Sequence, residues 1–195
     1  MRVIAGEFRS RPLTAPRGRD TRPTSDRLRE TLFNILAASV PQSVFVDLYA
    51  GTGAVGIEAL SRGAAQVYFA EVAAAALAAL RTNLRTLGIA ERCTVDTRGA
   101  LALLRALAQK NIRANLVYVD PPYADATAYQ ETFALLVSLP VLTADAVVVV
   151  EHSSHAAAPQ APAALRAYRT LRQGDAQVTF YRVASADKEE NAPPV

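Results

Sequence analysis

Between residues 44 and 151, short apolar runs alternate with stretches whose apolar side chains recur at three- and four-residue spacing. The runs at 44–49, 66–71, 93–96, 116–120 and 146–151 predict strands. The stretches at 54–61, 73–87, 100–110 and 128–139 predict helices. Strands separated by helices need crossovers, which sets them parallel in one sheet with helices on both faces. The pattern then changes. Residues 168–173 and 177–183 flank Gly174-Asp175-Ala176 and predict an antiparallel hairpin.

The first forty residues follow another rhythm. Short strands are expected at 2–5 and 9–13, joined around Gly6, and residues 16–23 form a Pro/Gly/Arg linker. Thr24-Ser25-Asp26 offers capping oxygens to a helix over 27–38, with Leu28, Leu32, Ile35 and Leu36 on one face. Pro41 closes this unit. The expected organisation is an appendage at 1–40, an α/β domain at 41–184 and a polar, disordered tail at 185–195.

Composition narrows the class. With 195 residues, 51% of them hydrophobic, the chain can build one α/β core. No apolar run is long enough to span a bilayer, the start has no apolar stretch of a secretory signal, and Cys93 stands alone, which rules out an internal disulfide framework. A soluble, cytoplasmic protein is expected. Charge is distributed unevenly. Residues 1–30 carry eight arginines against four acids, a net +4, so the remainder sums to −1 within a total of +3. A basic segment on a nearly neutral body suggests contact with a polyanion, and arginine forks suit phosphates and base edges.

The candidate chemistry starts where the first strand ends, at Asp47-Leu48-Tyr49-Ala50-Gly51-Thr52-Gly53-Ala54-Val55-Gly56. The spacing of Gly51, Gly53 and Gly56 matches the dinucleotide fingerprint, and Glu71, twenty residues after Gly51, ends the next strand where a ribose-binding carboxylate belongs. Asp47 separates the readings. It would repel a pyrophosphate but attract the ammonium of a methionine moiety, so S-adenosylmethionine is the expected cofactor. The glycines then let the backbone approach the ligand. Tyr49, Val72, Gly99 and Ala100 complete the candidate cofactor set, with Arg98 to Ala100 offering backbone groups to adenine.

The fourth strand ends in Asp120-Pro121-Pro122-Tyr123, the most specific signal in the chain. An exocyclic base amine is a poor nucleophile because its lone pair is delocalised into the ring. The Asp120 carboxylate and the Pro121 carbonyl can accept its two hydrogens, turning the lone pair toward a methyl donor. The prolines stiffen the turn and remove competing N–H donors. Tyr123 offers a ring on which a flipped base can stack, a role that needs the ring rather than the hydroxyl. Asp120 is an orienting acceptor that takes the proton late. His152 and His155 read as a solvated loop rather than a metal site, Cys93 reads as a small buried side chain, and no metal is required. A parallel sheet closed by an antiparallel hairpin is the arrangement of a Rossmann-like class I methyltransferase, here with seven strands.

On these residues, and on the segment from Thr21-Arg22-Pro23-Thr24-Ser25-Asp26-Arg27 through Asn34, the sequence resembles the RsmD-type 16S ribosomal RNA guanine-N2 methyltransferases over nearly its whole length. The resemblance implies one guanine as target, at position 966 of 16S ribosomal RNA within the assembled small subunit. It also implies that Arg9, Arg11, Arg22, Thr24, Arg27 and Asn34 meet RNA. Two departures from the family pattern are Gly99, where an acid or amide is common, and Ala73, where an acid is common. Rival readings are an adenine-N6 methyltransferase, an NAD-linked oxidoreductase, and a non-catalytic RNA-binding module.

Overall fold

A computed structural model describes residues 1–16 and 25–184. Seven strands form one sheet in the order β3-β2-β1-β4-β5-β7-β6. They are β1 (Val44–Leu48), β2 (Gln66–Ala70), β3 (Cys93–Asp96), β4 (Ala114–Val119), β5 (Leu142–Ser153), β6 (Leu165–Gln173) and β7 (Ala176–Val183). The first five are parallel. β7 inserts antiparallel between β5 and β6. The expected architecture is therefore the observed one: a Rossmann-like class I methyltransferase fold.

Helices α1 (Asp26–Ile35), α2 (Ala54–Ser61), α3 (Ala74–Leu87), α4 (Ala100–Gln109) and α5 (Ala126–Ser138) cover both faces. Strand side chains alternate between two cores, as the pleat requires. Phe45, Val67, Phe69 and Leu116 pack with Leu32 of α1, Ile57 of α2 and Leu80 of α3. Val46, Leu48, Val117 and Val119 pack with Leu103 and Leu107 of α4 and Phe133 of α5. Val3 and Leu13 are buried in the first core, so residues 1–16 share it with the sheet.

Three expectations change. The pair of strands at 2–5 and 9–13 reduces to one antiparallel bridge between Arg2 and Pro12. The amides of Ile4 and Ala5, which would have laddered, instead donate to the Glu58 carboxylate at 2.7 and 3.0 Å. Gly6 (φ +83°) passes so close to α2 that a Cβ there would lie 1.8 Å from the Ser61 carbonyl oxygen. Helix α1 ends at Ile35 rather than 38. Strand β5 runs on to Ser153 because β7 pairs with it, His152 opposite Gln177. His152 is consequently buried, with Nε2 3.0 Å from Thr179 Oγ1, rather than part of a solvated loop. The edge strand β6 is mostly exposed and carries Arg166, Arg169 and Arg172, charges that discourage edge-to-edge pairing.

Candidate active site

The carboxyl ends of β1, β2, β3, β4 and β5 converge on one side of the sheet, where open α/β sheets hold ligands. After β1 the chain turns through Tyr49 (φ +65°), Gly51 (φ +56°) and Gly53 (φ +78°) into α2. Gly51 faces open space. A Cβ on Gly53 would meet Leu80 at 2.3 Å, and one on Gly56 would meet Phe69 at 2.3 Å. Gly53 and Gly56 are thus demanded by packing, while Gly51 leaves room beside the loop. The Tyr49 hydroxyl pairs with Thr132 Oγ1 at 2.9 Å, tying the loop to α5.

Asp47 is 1% exposed, and its Oδ2 accepts the Gly56 amide at 2.9 Å. Burial pushes its carboxyl up to about 7, against the lowering effect of the Gly56 hydrogen bond and with a smaller push from Glu71. Glu71, just past β2, bonds only backbone: Oε2 accepts Gly51 N–H, and Oε1 accepts Val72 and Ala73 N–H, all at 2.7 Å. Oε1 thereby has both lone pairs engaged, and Oε2 keeps one for a ligand hydroxyl. Val72 projects outward, 65% exposed.

Beyond β3, Asp96 is claimed by its own neighbour. Arg98 gives it the backbone amide at 2.8 Å, Nε at 3.0 Å and Nη2 at 2.6 Å, holding the carboxyl below its usual range. Gly99 (φ +102°) and Ala100 then open α4, and a Cβ on Gly99 would lie 3.3 Å from Val72. A cleft of about 420 Å³ is lined by Tyr49, Gly99, Ala100, Arg105, Asp125 and Glu131, among others.

Asp120 and Pro121 leave β4 beside this loop. Asp120 is half-buried, and its carboxyl is raised well above the ordinary range, first by burial, then by the charges of Glu151 and Asp47. Pro121 is buried and Pro122 exposed, and the Pro122 carbonyl accepts the Asp125 amide at 2.8 Å. Tyr123 is 40% exposed, and its hydroxyl donates to Glu151 Oε1 at 2.8 Å. Tyr118 also donates to Glu151 Oε2, and Tyr129 donates to the Glu151 carbonyl at 3.0 Å. Burial and the neighbouring carboxylates raise the hydroxyls of Tyr123 and Tyr129. A second cleft of about 250 Å³ lies against Tyr123, Tyr129, Gln130 and Pro159. The sequence pattern sets Glu151 at a strand end beside His152 and His155, as part of a His/Glu cluster read as a solvated loop, and gives no signal for Tyr118 or Tyr129.

Arg9, Arg11, Arg27 and Asn34 lie on the surface. Asn34 Oδ1 accepts from Arg62 at 3.5 Å, while Arg22 and Thr24 fall outside the described residues. Arg29, counted in the basic segment, is fully buried: it donates to Arg2 O at 2.9 Å and Asp26 at 2.6 Å. It offers nothing to a polyanion. Cys93 is half-buried, with its thiol pushed up to about 12 by burial. Among the described residues, no group of three or more His, Cys, Asp or Glu gathers in a metal-binding arrangement, and no helix is long and apolar enough to cross a membrane.

The sequence matches the family described as Conserved hypothetical protein 95 over residues 1–182. It is 36% identical over 182 residues to Ribosomal RNA small subunit methyltransferase D of Escherichia coli (strain K12), spanning 93% of this chain and 89% of the relative. A solved Escherichia coli structure described as a methyltransferase, yhhF, superposes with a TM-score of 0.82 at 37% identity, over 94% of this chain and 97% of that one. SMU.776, described as a methyltransferase and solved complexed with SAH, shares the fold at a TM-score of 0.63 and 11% identity, over 80% of this chain and 49% of that one.

Proposed function

This chain belongs to the Conserved hypothetical protein 95 family of RsmD-type ribosomal RNA methyltransferases, and on that footing we propose that it methylates the N2 amine of a guanine in small-subunit ribosomal RNA. The observation that carries the reading is a turn of Asp120-Pro121-Pro122-Tyr123 leaving β4 next to the glycine loop of β1, its hydrogen-bonded neighbour in the sheet. S-adenosylmethionine, when bound, supplies a sulfonium methyl. The residues present fit it. Gly51 leaves open space, Glu71 Oε2 keeps a lone pair for a ribose hydroxyl, and the buried Asp47 carboxylate suits a cationic amine. Tyr49, Gly99 and Ala100 line the cleft of about 420 Å³ and Val72 lies against Gly99; in this reading the four receive the adenosine. A pyrophosphate would meet Asp47, which disfavours the dinucleotide reading, whereas Glu71 suits a ribose in either.

Asp120 and the Pro121 carbonyl accept the two amine hydrogens and aim the nitrogen lone pair at the methyl carbon. As the N–C bond forms and the S–C bond breaks, the nitrogen becomes cationic and loses a proton, which Asp120 is placed to take. Its raised proton affinity, set by burial and by two neighbouring carboxylates, suits that late transfer. Tyr123 gives the base a ring to lie on. Arg9, Arg11, Arg27 and Asn34, with Arg22 and Thr24 beyond the described residues, face the RNA in this reading.

The test is methylation of small subunits lacking the mark, using labelled S-adenosylmethionine, followed by nucleoside identification. N2-methylguanosine is expected, at position 966 by family resemblance. Recovery of N6-methyladenosine would move the chain to the adenine class. Absence of transfer to both subunits and free ribosomal RNA would overturn the reading.

A further inference from the structure

Glu151 is a buried carboxylate that the transfer chemistry described above does not use. Val119 of β4 pairs with Val150 of β5, so Asp120 and Glu151 emerge from adjacent strands side by side. Glu151 is 5% exposed, yet both its oxygens are engaged by tyrosines from different places in the chain. Tyr118, buried within β4, donates to Oε2. Tyr123, in the turn beyond β4, donates to Oε1. The backbone carbonyl of Glu151 also accepts from Tyr129 of α5, which fixes the residue to the helix that follows the turn.

The Tyr123 ring is substantially exposed, so its packing alone does not hold it. Among the described residues its side chain has one polar tie, from the hydroxyl to Glu151 Oε1, and that tie ends on an acceptor which is itself locked. A carboxylate can take both hydroxyl donors at once. An amide offers one acceptor oxygen, so one of the two tyrosines would have to turn its hydroxyl and accept from the amide N–H instead of donating. The geometry points to Glu151 as a positioning residue for Tyr123: it fixes the orientation of the ring against which the target base is laid. This rests on the proposed function for its consequence in turnover, though not for the tie between the two side chains.

The experiment uses full-length protein labelled with 3-fluorotyrosine. The chain has seven tyrosines, and Tyr123→Phe assigns the relevant fluorine signal. Glu151→Gln is expected to shift and broaden that signal. Tyr118→Phe, which leaves Glu151 in place but removes one donor, is expected to move it less and in the same direction. In single-turnover assays on small subunits, Glu151→Gln is expected to slow methyl transfer about 10- to 100-fold, the scale of a misplaced reacting geometry. S-adenosylhomocysteine affinity is expected to stay within about twofold of wild type, and the Glu151→Gln/Tyr123→Phe double variant to be no slower than the slower single variant. An unchanged Tyr123 signal in both Glu151→Gln and Tyr118→Phe overturns the inference whatever the turnover. So do rate losses that multiply in the double variant. If wild-type protein transfers no methyl group, the proposed function falls, and the fluorine signals still decide the inference.

Discussion

Carboxylates withdrawn from solvent, wholly or in part, sit in two regions of the fold and are treated in opposite ways. Where the first residues of the chain meet α2, Glu58 is fully buried but answered by cations and donors. Arg62 Nε lies at 2.7 Å, Arg29 Nη1 at 3.9 Å, and two backbone amides at 2.7 and 3.0 Å. At the carboxyl ends of the strands, the buried Asp47 and the half-buried Glu71 and Asp120 are met by no cation among the described residues; Asp47 and Glu71 accept backbone amides instead. Among the described residues, no ion pair includes any of the three. Asp47 and Asp120 are both pushed toward the protonated form, by burial first and then by neighbouring acids. Burial of an acid does not by itself mark a functional site. Burial without a countercharge leaves a deficit of positive charge, which the sulfonium or ammonium of the proposed cofactor would supply.

The contrast is open to three breaks, in falling order of effect. Glu58→Ala should lower stability by about 3–5 kcal/mol, since it removes one of the two carboxylates beside the buried Arg29 and leaves the Ile4 and Ala5 amides without their acceptor. Denaturant midpoints would measure the loss, and S-adenosylhomocysteine affinity of the remaining folded protein should be unchanged. A loss below about 1 kcal/mol would mean that Arg29 finds water or another acceptor.

Asp120→Asn should behave in the reverse sense. Turnover should fall about 10²–10³-fold, as when one aligned hydrogen-bonding group is lost from a reacting centre. The melting temperature should hold or rise, because a disfavoured buried charge has gone. If Asp120 is only a turn residue, activity survives while stability drops.

Asp47→Asn sharpens the comparison through pH. The folded carboxyl titrates near 7, above its value in the unfolded chain. The folded protein therefore holds a proton that the unfolded chain has lost, and ligand-free stability should decline as pH rises from about 4 to 7. Asparagine should remove that slope. A cationic ligand needs the ionised form, so S-adenosylhomocysteine affinity should increase about tenfold from pH 6 to pH 8 in wild type and stay flat in Asp47→Asn. Calorimetry at the two pH values would read this directly.

Much of this was legible in the sequence, for identifiable reasons. The strand–helix alternation and the change to a hairpin after Gly174 are local signals, and the sheet follows from them. Gly51, Glu71 and Asp120 stand just past parallel strands and Asp47 is the penultimate residue of β1, so topology alone sets all four at the carboxyl edge of the sheet. What stayed hidden depends on partners far along the chain. The amides of Ile4 and Ala5 look like strand amides until Glu58 is found to take them. Arg29 looks like one more cation of a basic segment until its burial beside Glu58 is seen. Thr143 and Asp145 interrupt the apolar run of β5, so its start at Leu142 shows only once β4 is paired with it, and its end at Ser153 only once β7 is. Glu151 and His152 then become interior positions. The Glu151–Tyr118–Tyr123 contacts depend on the register between β4 and β5, which no local spacing encodes.

The bonds that fasten the amino-terminal segment also impose an order of events. Ile4 and Ala5 bond to Glu58, 54 and 53 positions later, and Thr14 exchanges hydrogen bonds with the Asn83 side chain, 69 positions later. The same Asn83 amide reaches the Thr52 carbonyl in the glycine loop. A chain made from its amino end produces this segment before α2 and α3, so the partners of Ile4, Ala5 and Thr14 follow it. These ties can close only after the partners are made, and when Asn83 closes the last of them, one side chain joins the segment to the glycine loop.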